Sequence, residues 1–384
     1  MPTLQKNVLY TICYSEFYGT QRSVLSVAAG LDPSRYVPVV AAPYDDAFYG
    51  ALASAGIRTV PLPFKNVLDA GTIGGLCGII GESKINLIHA HLGISTALSI
   101  AASALSGNIP VVVTRHFIED RYTTIKNPAV RKAYGGVYRK MNSRAKRMIF
   151  VSEAVREGVE RREGLIGDRG IVIPNAVRNA DFAPARFVTP GGAAVLKKNL
   201  GFPEDCFLVL TLSRLVHEKR LDVLIRAAAE IRSAHPDAYF LIAGGGKLLE
   251  RLESLAAELG VEDRIKFAGY VGKTVDVFTA SDVFVLSAEA EPFGIAILEA
   301  MASGLPVIAA RSGGPLDIIH DGADGLFFEP GDPRDLAEKI ALLKSDAELR
   351  RKIAEVGALR AVDFEEKKVA ARVQEVYDEA LAES

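Results

Sequence analysis

The chain has 384 residues, 49% of them hydrophobic and 24% charged, with a formal net charge of -2. That length suits two domains of ordinary size, and that composition gives each a packed core and excludes disorder. Cys13, Cys77 and Cys206 are the only cysteines and show no CxxC spacing, which argues against a disulfide framework or a cysteine-ligated zinc site and fits a reducing cytoplasm.

The N-terminal run MPTLQKNVLYTIC is too short in its apolar part for a signal peptide and continues as a first strand, 8–13. Further β-rich runs stand at 37–42, 86–89, 111–114, 148–151 and 171–173, with helical periodicity at 21–30, 95–106 and 153–163. The apolar tract 92–113 is broken by polar residues and by Gly107-Asn108-Ile109-Pro110, so it reads as helix, turn and strand rather than a membrane span. Pro and Gly are enriched from 178 to 206, which puts the expected linker near 180–192. The alternation then repeats with strands at 208–213, 239–243, 265–268, 283–287 and 307–309, and after 333 the chain reads as helical through 365–381. Strands alternating with helices predict an α/β fold of two Rossmann-like doubly wound domains, 1–183 and 184–364. The halves differ in charge: residues 1–200 hold 24 Lys+Arg against 14 Asp+Glu, and 201–384 hold 21 against 33. A basic first half points to an anionic acceptor or membrane surface as its partner.

The segment most informative about chemistry is FVLSAEAEPFGIAILEAMASGLPVIA, 284–309, in which Glu291 precedes a predicted helix at 294–303 and Glu299 lies within it. The N–H groups of Phe293, Gly294 and Ile295 fall among the unpaired donors at that helix start, a place suited to an anionic ligand bearing hydroxyls. In LTLSRLVHEKRLDVLIRAA, 210–228, Arg214 follows a strand and Lys219 opens a helix. Ligands of open α/β sheets bind at the carboxyl ends of strands, so both cations are expected to face an interdomain cleft. Two fixed positive charges there neutralise a departing diphosphate without Mg²⁺. Gly244 and Gly246 follow a strand in AGGG, whose spacing lacks the GxGxxG dinucleotide fingerprint and so disfavours an NAD-dependent dehydrogenase. His116 follows the strand 111–114, and His89 and His91 alternate along the end of another, where two ligands without a third favour hydrogen-bonded histidines over zinc. Asn175, before a turn, reads as a side-chain cap, and Ser152 reads as an N-cap rather than a nucleophile. Residues 126–147 hold eight cations and no acid, with Tyr134, Val137, Tyr138 and Met141 at helical spacing. That pattern suits an anionic lipid surface as well as a core-packed helix with a solvated basic face. No motif supports nucleic-acid binding.

As an ordered set these motifs resemble the retaining glycosyltransferases of family 4, the group 1 glycosyl transferases of GT-B architecture. The likeness lies in the E-x7-E spacing of Glu291 and Glu299, in Arg214 and Lys219 of a "GR-L…EKG" run and in the IVIPNAV segment. Gly19 in FYGTQRSVLSVAAGL, His116 in a "V-x-T-x-H" pattern and Gly313-Gly314 of "GG-x-x-E" complete it. This chain departs from the pattern at Tyr18, Ala176, Ser213, Arg220 and Asp317. The resemblance implies that Glu291 contacts the donor sugar and Glu299 the nucleotide ribose, while His116 contacts the sugar. It implies that Gly19, Gly244, Gly246, Tyr270 and Val271 line the donor site; His91 and Arg115, near the ends of their strands, are expected toward the acceptor. It also implies that the last helix, 365–384, crosses back onto the first domain.

The expected function is a metal-independent, retaining transfer of a sugar from a UDP- or GDP-type donor to a sugar, lipid-linked or other hydroxyl acceptor. No cofactor is expected, and the setting is cytoplasmic, with or without contact at the inner membrane face. The alternatives are a non-catalytic nucleotide-sugar-binding protein and a same-fold phosphorylase or epimerase. The intact set of cations and carboxylates disfavours the first.

Overall fold

The computed structural model describes residues 5–14, 19–118, 126–164 and 166–383, and it divides into two units, Met1–Ala176 with Glu366–Ser384 and Val177–Glu365. The first unit carries β1 (Lys6–Ile12), β2 (Tyr36–Ala42), β3 (Arg58–Pro61), β4 (Ile85–His91), β5 (Val111–Arg115), β6 (Arg147–Phe150) and β7 (Gly170–Val172). They form one parallel sheet in the order β3-β2-β1-β4-β5-β6-β7. The second unit carries β8 (Phe207–Leu212), β9 (Ala238–Ala243), β10 (Ile265–Gly269), β11 (Val283–Leu286), β12 (Val307–Ala310) and β13 (Leu326–Phe328). These too are parallel, in the order β10-β9-β8-β11-β12-β13.

Each sheet starts in its middle, runs to one edge and returns across the first strand, so the order reverses at β1/β4 and at β8/β11. The crevice at the carboxyl ends of such a strand pair is where doubly wound sheets bind ligands. The central strands read as continuous apolar runs because helices cover both faces. All four residues of β11 and all five of β5 are buried.

The strands β3 and β13 and the helices Asp46–Ser54 and Ala70–Glu82 are among the elements that sequence pattern did not announce. The glycine-rich helix Ala70–Glu82 is capped by Asp69, which accepts from Gly71 and Thr72, and a Cβ at Gly75 would lie 2.6 Å from Leu62 Cδ1. Close packing, rather than propensity, holds that helix in place.

The residues read as a linker are short helical pieces of the second unit, Asn179–Phe182 and Ala183–Phe187, leading into the helix Pro190–Asn199. The buried Phe182 ring packs edge-on against Phe278, with centroids 5.9 Å apart, which anchors this stretch. The chain passes between the units at Ala176/Val177 and at Glu365/Glu366.

The C-terminal helix Glu366–Ala382 belongs to the first unit. A Cβ on Gly30 would come 2.7 Å from the Glu366 carbonyl oxygen, so the two helices touch backbone to backbone there. Tyr377 donates to or accepts from Tyr10 at 2.7 Å, and Arg147 binds Glu379 at 2.9 Å and Glu383 at 2.5 Å. Among the described residues no helix is long and apolar enough to cross a membrane.

Candidate active site

In the second unit the site grows from the exits of β8 and β11. After β8 the exposed Arg214 pairs with no acid among the described residues. A 3₁₀ turn, His217–Lys219, leads to Arg220 in the left-handed region (φ 46, ψ 42), where the helix Leu221–Ile231 begins. Glycine is the residue most at ease in that conformation, which explains why the related motif has Gly there. Here the Arg220 guanidinium is held by Glu289 and by Asp222 at 3.1 Å. The Ser287 hydroxyl donates to the Lys219 carbonyl at 2.8 Å, tying this turn to the end of β11. The Lys219 ammonium forms an ion pair with Glu291, both side chains being largely buried.

The backbone around Glu291 is fixed by close approach. Gly314 N–H donates to the Glu291 carbonyl at 2.8 Å. A Cβ on Gly313 would overlap the Glu291 carbonyl oxygen, and one on Gly314 would overlap Phe293 Cα. The two glycines of the "GG-x-x-E" run thus act by leaving room for the carboxylate loop.

Gly294, at φ 104, starts the helix Ile295–Ala302, whose Glu299 is buried. The N–H groups of Phe293, Gly294 and Ile295 donate to no protein acceptor among the described residues. Lys219, Glu291 and three open N–H donors therefore meet at one helix start, an arrangement that binds an anion next to a hydroxyl acceptor.

Gly244 and Gly246 have a structural reason of their own. A Cβ on Gly244 would overlap the Ser213 carbonyl oxygen, and one on Gly246 that of Leu215. Tyr270, just after β10, is 72% exposed, and Val271 follows it half-buried.

In the first unit Gly19 is the first residue of the helix Gly19–Gly30, and Tyr18 lies outside the described residues. His89, His91 and His116 form a buried cluster at the carboxyl ends of β4 and β5. His89 Nδ1 bonds Tyr377 at 2.6 Å and its Nε2 bonds Thr114 at 2.6 Å, while His91 Nδ1 bonds His116 Nε2 at 2.9 Å. These are hydrogen-bonded histidines, as their spacing suggested.

Two expectations are corrected here. Arg115 does not face outward to an acceptor: it is buried and bidentate on Glu163 at 2.9 and 3.0 Å, with Asn142 beside them. His91 is buried as well, beside His89 and His116. Asn175 is not a cap either, because its Oδ1 is buried without a hydrogen-bond partner among the described residues. Ser152 does cap its helix, accepting from Val155 N–H at 3.1 Å. Sequence reading missed Tyr10, Tyr377, Asn142 and Glu163. Their partners lie far along the chain, Glu163 being 48 residues from Arg115, so no local spacing announces them.

The basic segment forms the helix Pro128–Asn142, in which Met141 is buried, Val137 is 50% exposed and Arg131, Lys132, Arg139 and Lys140 are exposed. Its expected apolar stripe is thus only partly covered. The Tyr134 side chain lies outside the described residues.

Burial pushes His89 and His116 down from 6.5 to about 3, and His91 well below 6.5, with neighbouring imidazoles adding to the effect at His89 and His91. The unfolded chain takes up these protons near 6.5 and the folded chain does not, so stability falls as pH falls through the window from 6.5 toward about 3. The urea midpoint is expected to drop already between pH 6.5 and about 5, above the ordinary range of carboxylates, and to drop less in His89→Gln. An unchanged pH slope in that variant would show that His89 does not contribute to this loss.

The family model for Glycosyltransferase Family 4 matches residues 17–181, and that for Glycosyl transferases group 1 matches residues 194–360. The lipopolysaccharide core biosynthesis glycosyltransferase LpsE of Rhizobium meliloti is 38% identical over 164 residues, which is 43% of this chain and about half (47%) of that relative. The D-inositol 3-phosphate glycosyltransferase of Acidothermus cellulolyticus is 32% identical over 322 residues, covering 78% of this chain and 68% of that protein. Among solved structures, Anabaena Alr3699/HepE in complex with UDP-glucose superposes with a TM-score of 0.84 at 22% identity, over 97% of this chain and 99% of that one. With one family model on each half and a 32% identical relative spanning most of its length, the chain belongs to the group 1 glycosyltransferases and has their two-domain GT-B fold.

Proposed function

We propose that the protein is a retaining, metal-independent glycosyltransferase that moves a sugar from a UDP- or GDP-type donor onto an acceptor hydroxyl in the synthesis of a cell-envelope glycan, glycolipid or polysaccharide. The observation that carries this reading is the Lys219–Glu291 ion pair at the β8/β11 switch point, beside the open N–H groups of the helix Ile295–Ala302. The bound UDP-glucose of the HepE structure and the lipopolysaccharide role of LpsE support the donor type and the pathway class.

In this reading Lys219 and Arg214 receive the diphosphate charge, so no metal ion is needed to neutralise it. Glu291 binds a donor-sugar hydroxyl and Glu299 the ribose. Gly244, Gly246, Tyr270 and Val271 border the nucleotide, Gly19 approaches the diphosphate, and His116 meets the sugar. The bond from the anomeric carbon to the diphosphate oxygen breaks while the acceptor oxygen bonds the same face of that carbon. The acceptor proton passes to the departing phosphate oxygen.

Glu291→Gln removes the counter-ion of Lys219 and frees its charge for a diphosphate. It should tighten binding of free UDP or GDP about fivefold, as for loss of a competing, partly screened pair, while lowering sugar-dependent turnover. Glu299→Gln should weaken nucleotide binding, and EDTA should change neither affinity nor turnover. Calorimetry on both variants tests this: nucleotide affinity lost in Glu291→Gln and kept in Glu299→Gln, or activity abolished by EDTA and restored by Mg²⁺, contradicts the assignment.

The first half's basic balance and the exposed Arg131, Lys132, Arg139 and Lys140 favour an anionic acceptor presented at an anionic leaflet. Such attraction acts within about 10 Å at 0.1 M salt. Co-sedimentation with anionic liposomes at low salt should fall when these four residues are changed to Glu. Equal binding to neutral vesicles, or none to anionic ones, would instead indicate a soluble acceptor.

A further inference from the structure

Among the described residues His91 is one of the few buried polar side chains that retain an unpartnered atom: its Nε2 is buried with no hydrogen-bond partner, although its Nδ1 is bonded to His116. The ring is held on several sides. His89 lies 4.2 Å away between centroids and is itself fixed by Tyr377 and Thr114, and the Tyr10 ring stacks at 5.9 Å with an interplanar angle of 18°. The backbone is constrained as well. Leu92, directly after His91, has φ 73, a conformation that non-glycine residues rarely adopt and that concentrates at functional sites. Its carbonyl is tied down by Thr96 N–H at 3.0 Å and the Thr96 hydroxyl at 2.7 Å.

We propose that His91 is a positioning residue for His116, holding the His116 ring and deciding which of its nitrogens carries the proton that faces the site. This rests on the reading of His116 as the sugar-facing histidine.

In a neutral imidazole pair bonded Nδ1 to Nε2, one proton is shared between the two atoms, so there are two arrangements. If His116 Nε2–H donates, the His91 proton is on Nε2 and becomes a buried donor without a partner. If His91 Nδ1–H donates, Nε2 is a bare acceptor, which costs less to leave unpaired than an N–H. The second arrangement therefore holds. His116 accepts at Nε2 and carries its proton on Nδ1, which offers a donor to a sugar hydroxyl. No protein partner bonds His116 Nδ1 among the described residues.

The test is a double-mutant cycle with three variants. His91→Phe keeps the ring volume and deletes both nitrogens, His91→Asn places an amide N–H near the Nδ1 position, and His116→Ala removes the group acted upon. Turnover is read as nucleoside diphosphate release from whichever of UDP-glucose, UDP-N-acetylglucosamine and GDP-mannose the wild-type protein consumes. His91→Phe is expected to lose about tenfold in kcat with UDP or GDP affinity unchanged, and His91→Asn to recover most of it. In the His116→Ala background His91→Phe should add nothing.

An equal loss in both backgrounds, or a His91→Asn variant as impaired as His91→Phe, overturns the proposal while leaving the sugar contact of His116 intact. Wild-type turnover in His116→Ala removes the sugar contact itself, and the proposal with it. Should the variants not fold, ¹⁵N-histidine NMR of the wild-type protein at neutral pH decides the same point. A His116 ring protonated on Nδ1 supports the pairing, and one protonated on Nε2 contradicts it.

Discussion

Lys219→Ala is expected to lower turnover on the order of 10² to 10³, the loss typical of removing one preorganised charge aimed at a developing anion. The ammonium stabilises the diphosphate most when the glycosidic bond is breaking, so kcat should fall more than donor affinity. The ion pair sharpens this expectation. Without Lys219 the largely buried Glu291 carboxylate has lost its partner and stands beside the incoming diphosphate as a like charge. Arg214 is exposed and has no acid partner among the described residues, so Arg214→Ala should show a smaller loss of the same kind. A Lys219→Ala protein that is folded by circular dichroism and keeps wild-type turnover would exclude this lysine from the diphosphate site.

The second large effect concerns stability rather than chemistry. Arg115 and Glu163 are joined by two hydrogen bonds of 2.9 and 3.0 Å, and their side chains are 5% and 0% exposed. Removing one partner of such a pair leaves an uncompensated buried charge, with a cost of about 3–5 kcal/mol. Glu163→Gln should therefore lower stability by that order in urea unfolding. The double replacement Arg115→Met with Glu163→Leu should recover most of it, since an apolar pair of similar volume escapes the desolvation cost. Unchanged stability in Glu163→Gln would show that this buried pair contributes nothing net to the fold.

The strands that carry the site were legible because they are apolar, β-branched and closed by turn residues; β8, β11 and β12 appear within a residue or two of their expected places. β3, Arg58–Pro61, was not, because this edge strand has two exposed residues and ends in a proline. The helix Ala70–Glu82 was hidden by its glycines, which weaken helical propensity and matter here only through contact with residues such as Leu62. At the site, two local pairs were found: Arg214 and Lys219 in the connection after β8, and Glu291 and Glu299 before and within the helix that follows β11. What spacing did not tell is who pairs with whom. The Lys219–Glu291 contact spans 72 residues and the His89–Tyr377 contact 288, and tertiary packing alone brings them together. The same reason accounts for Arg115, which has the composition of a site residue and the environment of a core ion pair.

In the proposed reading, the lysine and carboxylate at the start of the helix Ile295–Ala302 receive a nucleotide-diphosphate sugar. Calorimetric titration of the wild-type protein and of Lys219→Ala with UDP-, GDP- and ADP-sugars, in EDTA throughout, tests it most directly. The wild-type protein is expected to bind a UDP- or GDP-sugar without metal, and Lys219→Ala to weaken this binding while the protein stays folded. Binding that requires Mg²⁺ and is indifferent to Lys219, or no binding by any donor in the panel, would contradict it.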